Sequence, residues 1–261
     1  MSNGKGRGSK RDRGSYQGEV SQENMPDKQS WTMHDLVSMR PQSANQSTAI
    51  EAWAQGDHLA LLGSAGVGKT FLAAYLAASE LCRNQVKRIV VLRSAVEIRK
   101  QGFLPGTQAD KDAPYEEAYE HAFAKVFDHP MSYKWLKARG KLIFRSTGNL
   151  RSLNFEDAVV IADEIQNMNF EELHTVITRL SSSSRLIVCG DEAQCDLDLH
   201  EMRSIPMFAR FAPELPNTTV VRFTRHDCLR HPLVKAWLAQ LEKWHEERAL
   251  RAAPQPEAST A

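Results

Sequence analysis

A chain of 261 residues with 42% hydrophobic content can bury a substantial core, as one large domain or two small ones. Its 33 Lys+Arg nearly balance 32 Asp+Glu, so bulk charge points neither toward nor away from nucleic acid, and only local patches carry that information. No apolar run approaches the roughly 20 residues of a membrane span, and the first residues lack the apolar stretch of a secretory leader.

In chain order, residues 1–38 read as a disordered, basic tail, with Lys5, Arg7, Lys10, Arg11 and Arg13 against Asp12. Such an arm is either a solvated tail or an electrostatic hold on nucleic acid. From 39 to 251 short apolar runs alternate with helix-like segments. Helices are expected at Ser43–Gln55, Lys69–Leu81, Tyr115–Val126, Met131–Ala138, Glu171–Leu180, Ile205–Phe211 and His231–Arg248. Strands are expected at Leu59–Leu62, Ile89–Leu92, Lys141–Phe144, Ala158–Ala162, Leu186–Cys189 and Thr219–Phe223. The alternation predicts an α/β fold, a mostly parallel sheet with helices on both faces. In the last helix Leu233, Trp237 and Leu241 recur at i, i+4 and i+8, a stripe that reads as core packing. Residues 252–261 read as a flexible tail. The four cysteines form no C-x-x-C pair, which suits free thiols in a reducing cytoplasm; His226, Cys228 and His231 match no common zinc spacing.

Three strand ends carry chemistry. After the apolar run Leu59–Leu62 comes Gly63-Ser64-Ala65-Gly66-Val67-Gly68-Lys69-Thr70, which fits the phosphate-binding loop G-x-x-x-x-G-K-[ST]. Its backbone N–H groups and the following helix N-terminus favour a phosphate. Lys69 would reach the β- and γ-phosphates, and the Thr70 hydroxyl would hold Mg²⁺. The second strand, Val159-Val160-Ile161-Ala162, delivers Asp163 to its C-terminal end as an Mg²⁺ ligand, with Glu164 next to it as general base for the attacking water. The third, Leu186-Ile187-Val188-Cys189, ends in Gly190-Asp191-Glu192-Ala193-Gln194. The Gln194 amide could touch both the γ-phosphate and the water, and so tell triphosphate from diphosphate.

Taken together these stretches resemble the PhoH-like family of P-loop ATPases, related to the first motor domain of superfamily 1 helicases, over about Met39 to Leu238. Further matches are Asn45-Gln46, Arg93-Ser94-Ala95-Val96, Gly102-Phe103-Leu104-Pro105-Gly106, Lys111, Pro114-Tyr115, Gln166-Asn167, Thr178-Arg179, Asp196 and Arg230-His231. Ser94 stands where a proline is more usual, and Ile165 where an alanine is more usual. The resemblance implies a RecA-like sheet with the Gln194 strand between the P-loop strand and the Asp163-Glu164 strand. It also implies that Gln46 reads adenine, favouring ATP.

The stretch after Asp196 is too short for a second motor domain, yet fast hydrolysis in this class uses an arginine finger. A neighbouring subunit could supply it, with Arg230 and Arg179 as candidates. A head-to-tail homo-oligomer follows, a hexameric ring by resemblance. For RNA or single-stranded DNA the expected contact is the insert from Ser94 to Tyr115, with Arg99, Lys100, Lys111 and Phe103. The same insert could instead pack on the body or at a subunit interface. Lys134, Lys137, Arg139 and Lys141 around Trp135 form a second basic cluster, equally readable as a solvated helix face. The functions that fit are an ATP-driven motor on nucleic acid, an oligomeric ATPase switch acting on protein partners, and a small-molecule kinase. Glu164 and Gln194 favour water over an organic acceptor and disfavour the third. The expected setting is cytoplasmic, in a bacterium or in the host of a virus, with no membrane association.

Overall fold

The computed structural model describes residues 30–94, 108–150, 154–192 and 204–252. In chain order the regular elements are α1 (Ala44–Ala54), β1 (His58–Leu62), α2 (Lys69–Cys82), β2 (Arg88–Arg93), α3 (Gln108–Val126), α4 (Ser132–Ala138) and β3 (Leu142–Ser146). They continue with β4 (Ala158–Asp163), α5 (Phe170–Thr178), β5 (Arg185–Gly190), α6 (Ser204–Phe211), β6 (Thr218–Arg222) and α7 (Pro232–Ala252). All six strands pair in parallel, in the order β3-β2-β4-β5-β1-β6. The β5 strand therefore lies between the P-loop strand β1 and the acidic strand β4, as the resemblance implies.

The strands read as continuous apolar runs because both sheet faces are covered. Every residue of β4 is buried, whereas the edge strands β3 and β6 keep several positions partly open. Alternate residues feed two cores. Leu59, Leu61, Val91, Ile161 and Ile187 pack under α1 to α4, while Leu62, Leu92, Val160 and Val188 pack with Leu173, Val176, Ile205 and Phe208 of α5 and α6. Helix α2 is Ala-rich on its buried side (Ala73, Ala74, Ala77, Ala78), which lets it lie close to the sheet and sets the P-loop directly over the strand ends.

Three expectations change. Residues 30–38, read as tail, pack on the body: Trp31 is buried, and the Val37 N–H donates to Val126 O at 2.9 Å, closing the segment over α3. Helix α3 begins at Gln108 and carries Pro114 inside it, whereas a proline ordinarily starts or breaks a helix. The stripe on α7 is not core. Leu233 is 72% exposed and Trp237 68%, because past Pro232 only one side of α7, through Leu238, meets the body. Periodicity records that a helix has an apolar face; it does not record what covers it.

Candidate functional site

The C-terminal ends of β1, β4 and β5 meet at one place. At the P-loop, Gly66 has φ +89°, and a Cβ there would lie 2.6 Å from Arg230 Nε, so both the backbone conformation and the space demand glycine. Lys69 leads α2 and folds back, its Nζ donating to Gly63 O at 2.6 Å and Ser64 O at 2.9 Å. Gly63, Ser64, Ala65, Gly66, Val67 and Gly68 thus form a closed loop around the ammonium group. The Thr70 hydroxyl donates to Asp163 Oδ2 at 3.3 Å. One neutral and one anionic oxygen stand together at the mouth of the loop, a donor set that suits Mg²⁺.

Asp163 ends β4 and is buried. Its Oδ1 accepts the Glu164 N–H at 3.0 Å, and its Oδ2 accepts the phenol of Tyr119 in a short hydrogen bond. Burial, and then the Asp163 carboxylate, push the Tyr119 hydroxyl well above its ordinary range, so it remains a donor. Glu164 sits at φ +54°, a left-handed conformation that costs a non-glycine residue energy and turns the side chain out of the strand direction. Burial first, then the charge of Asp163, raise the Glu164 pKa, against the opposing pull of Arg93, Lys69 and a hydrogen bond from Gln166. A carboxylate with raised affinity for protons is what a general base needs.

Gln166 joins this base to the third strand end. Its amide donates to Glu164 Oε2, and its carbonyl oxygen accepts the Asp191 N–H at 3.0 Å. Gly190 O in turn accepts the Gly63 N–H at 3.0 Å. One chain of contacts therefore runs from the P-loop through the end of β5 to Glu164. Close packing enforces it: a Cβ at Gly190 would come within 2.7 Å of Ile165, which is why the larger isoleucine fits beside a glycine. The Ser204 hydroxyl, at the start of α6, lies 2.8 Å from both Ile165 O and Met168 O. Gln194 and Asp196 lie outside the described residues, as do the N-terminal basic arm, the 252–261 tail beyond Ala252, and the insert from 95 to 107 with Arg99, Lys100 and Phe103. Lys111 is placed in α3 by its backbone alone.

The other expected residues divide. Gln46 is buried at the P-loop; its Nε2 donates to Val67 O at 3.3 Å and its Oε1 accepts the Gln42 N–H at 2.8 Å. It helps line a cavity of about 650 Å³ beside the loop, walled also by Met39, Phe71, His121, Lys125 and Leu229. Its neighbour Asn45 donates to Asp227 Oδ2 at 2.8 Å, fixing the turn after β6. That turn presents Arg230, expected to serve a neighbouring subunit, to its own chain instead: Leu229 N–H donates to Gly66 O at 3.2 Å and the Arg230 side chain lies over the loop. Because β6 pairs with β1, whatever follows β6 must emerge beside the P-loop of the same molecule. Arg179 lies at the other end of the sheet. Its carbonyl accepts the N–H of Phe155, which precedes β4, placing it roughly 20 Å or more from Asp163 along that strand. It cannot reach the phosphate site of its own chain.

Ser94 also finds a reason. Its hydroxyl donates to Glu172 Oε2 at 3.3 Å, a contact a proline would not make, beside the Thr147 hydroxyl, which donates to Glu172 Oε1 at 2.6 Å. Two of the four basic residues in the second cluster are engaged internally: Lys137 pairs with Glu116 at 2.6 Å and Arg139 lies 5.3 Å over Trp31, while Trp135 stacks on His129. Sequence reasoning missed Tyr119 and the bridging geometry of Gln166. Tyr119 belongs to an ordinary helical run and only the tertiary fold brings it to Asp163; Gln166 stood in a matched motif without a stated role.

Residues 38–242 match the PhoH-like protein family. A PhoH-like protein of Synechocystis sp. is 32% identical over 219 residues, 84% of this chain and 66% of that protein. Protein PhoH of Escherichia coli is 34% identical over 178 residues, 67% of this chain and 50% of that protein. The chain thus spans about half to two thirds of the length of these relatives. Among solved structures, the large terminase of a thermophilic bacteriophage aligns with a TM-score of 0.46 at 13% identity, over 75% of this chain and 49% of that one. The chain belongs to the PhoH-like family, and its P-loop joins β1 to α2 of an all-parallel sheet. Among the described residues no helix is long and apolar enough to cross a membrane.

Proposed function

We propose that this PhoH-like chain binds ATP with Mg²⁺ and hydrolyses it, as a motor or remodeller acting on RNA or single-stranded DNA. The observation that carries the reading is Glu164, a base candidate of raised proton affinity, beside Asp163 and tied through Gln166 to the end of β5. In this scheme the P-loop amides take the phosphates, and Lys69 leaves the Gly63 and Ser64 carbonyls for the β- and γ-phosphate oxygens. Thr70 and Asp163 hold Mg²⁺, which when bound offsets charge on the phosphate oxygens. Glu164 accepts the proton of the attacking water, and Gln194 senses the γ-phosphate. The base occupies the cavity beside Gln46, which still has an amide hydrogen and a lone pair to offer. Arg230, lying on its own loop, supplies the positive charge that arginine fingers contribute, worth roughly 10³–10⁵ in rate.

Release of phosphate from ATP by the full chain, measured with and without single-stranded RNA or DNA, tests this. Stimulation that disappears in Glu164→Gln supports the motor; no nucleic-acid binding even at low salt sinks it, because phosphate contacts strengthen as salt falls.

Assembly into a head-to-tail ring, hexameric by resemblance, is part of the proposal. With Arg230 in cis, sharing of sites between subunits now rests on Arg179. Mixtures of Arg179→Ala and Glu164→Gln chains should regain activity if sites are shared. The exposed stripe on α7 favours a second reading, an ATPase switch whose output is contact with another protein. A cytoplasmic setting is proposed with both readings.

A further inference from the structure

We propose that Tyr119 is a positioning residue for the metal carboxylate, and that through it helix α3 links the nucleotide-base cavity to the hold of Asp163 on Mg²⁺. The inference rests on the nucleotide reading above. Three donors converge on Asp163: the Glu164 N–H on Oδ1 at 3.0 Å, and the Thr70 and Tyr119 hydroxyls on Oδ2. They are not equivalent. The Thr70 oxygen serves two partners, since it would offer a lone pair to a bound ion while its proton stays on Asp163. The Glu164 amide and the Tyr119 phenol have no such second task and fix the carboxylate's rotamer.

The phenol suits that task. Tyr119 has 0% exposure, and its ring packs against Phe144 with centroids 5.9 Å apart, so its hydroxyl meets Asp163 away from solvent. Its helix is also pinned: Glu116, one turn earlier, accepts from Tyr133 at 2.9 Å and from Lys137 at 2.6 Å on α4. Ala118, His121, Ala122 and Lys125 of the same two turns wall the cavity beside Gln46. A helix moves as a rigid rod over so short a span. A base that packs on Ala118 or Ala122 therefore bears on the same rigid segment that aims the Tyr119 hydroxyl, and a carboxylate without Tyr119 loses its aim. Groups that orient a metal ligand from outside its coordination sphere typically change metal affinity 10–100-fold when removed.

The experiment titrates the full chain with a fluorescent ADP analogue, in EDTA and across a range of Mg²⁺, for wild type and Tyr119→Phe. The expected result is analogue affinity in EDTA within about twofold of wild type, with the Mg²⁺ concentration for half-maximal gain raised about tenfold. An unchanged Mg²⁺ midpoint in a variant that melts like wild type overturns the proposal. Wild type that binds no analogue in either buffer overturns the nucleotide reading instead. Should Tyr119→Phe fail to fold, 3-fluorotyrosine placed at 119 keeps the ring and hydroxyl. Its ¹⁹F resonance should move when the analogue binds in EDTA and again when Mg²⁺ is added; a resonance that ignores the second addition overturns the link.

Discussion

The two ends of this sheet both bury charge, and they do so in opposite ways. Where the strands begin, Arg185 lies 3.3 Å over the Trp53 ring, donates to Trp53 O at 2.6 Å and Asp57 O at 2.8 Å, and pairs with Glu80 at 3.2 Å. Glu80 also accepts the Trp53 indole N–H at 3.0 Å. Each charge there meets an opposite charge or dipole, and the left-handed backbone falls on Asp157 and Asn217, residue types that tolerate it. Where the strands end, Glu164 is held in a left-handed conformation beside a like charge, and Lys69 rests on carbonyl oxygens beside an open cavity. Charge matched by opposite charge and dipole marks a clamp. Strain with like charges in contact and space alongside marks a place built to receive something.

The largest expected effect comes from breaking the receiving end. Glu164→Gln should lower ATP turnover by about 10²–10⁴, the usual contribution of a general base, while leaving nucleotide affinity in place. It should also stabilise the fold, and the sign follows from the raised pKa. The folded chain holds the Glu164 proton more tightly than the unfolded chain, so stability falls as pH rises through the raised value. The gain in Tm of Glu164→Gln should therefore be near zero at about pH 4 and grow to a plateau at neutral pH. A gain that is equal at both would mean the carboxylate is not desolvated.

The clamp should answer in the other coin. Arg185→Met leaves the Glu80 carboxylate with only the more exposed Arg83, 4.0 Å away, and losing the nearer partner of such a pair costs up to about 3–5 kcal/mol. Chemical denaturation should show that loss with ATP affinity within about twofold of wild type. A variant that keeps its stability but loses nucleotide would invert the assignment of the two ends.

Much of this contrast was legible before the fold was known. Each strand is legible because its short apolar run stops at a glycine, a polar or a charged residue, and observed strands differ from the expected ones by only a residue or two at either end. Gly63 to Thr70, Asp163 and Glu164 were legible because their chemistry sits on consecutive residues. What stayed hidden depends on strand order and on distance in space. Arg230 lies on its own P-loop because β6 lies beside β1, and Tyr119 reaches Asp163 from 44 positions away. Residues 30–38 were read as tail because a segment that packs as a strap needs only a few anchors, here Trp31 and Val37.

A smaller effect is expected from the contact that joins base to strand end. Gln166→Leu keeps the volume and removes both hydrogen bonds. The bond from Gln166 favours the charged form of Glu164, so its loss should move the acid limb of the pH–rate profile to higher pH. Turnover at neutral pH should fall roughly tenfold through lost aim of the carboxylate. Loss of the Gln166 acceptor from the Asp191 N–H should cost about 1–3 kcal/mol. An acid limb that stays in place while the rate falls would assign the loss to the end of β5 and not to the base.

The smallest effect should come from α7, where sequence and structure part. Trp237 is 68% exposed and Leu76 of α2 is 3% exposed, although both sit on apolar stripes of helices. Leu76→Ala should cost about 2–5 kcal/mol by leaving a cavity in the core. Trp237→Gln removes a larger ring yet should change stability by no more than about 0.5 kcal/mol in dilute protein, because folding buries little of it. Denaturation of both variants at low and high protein concentration separates the cases. A loss for Trp237→Gln that appears only at high concentration means another copy covers the ring. A loss at every concentration means α7 packs on its own body more closely than the exposure of Trp237 allows.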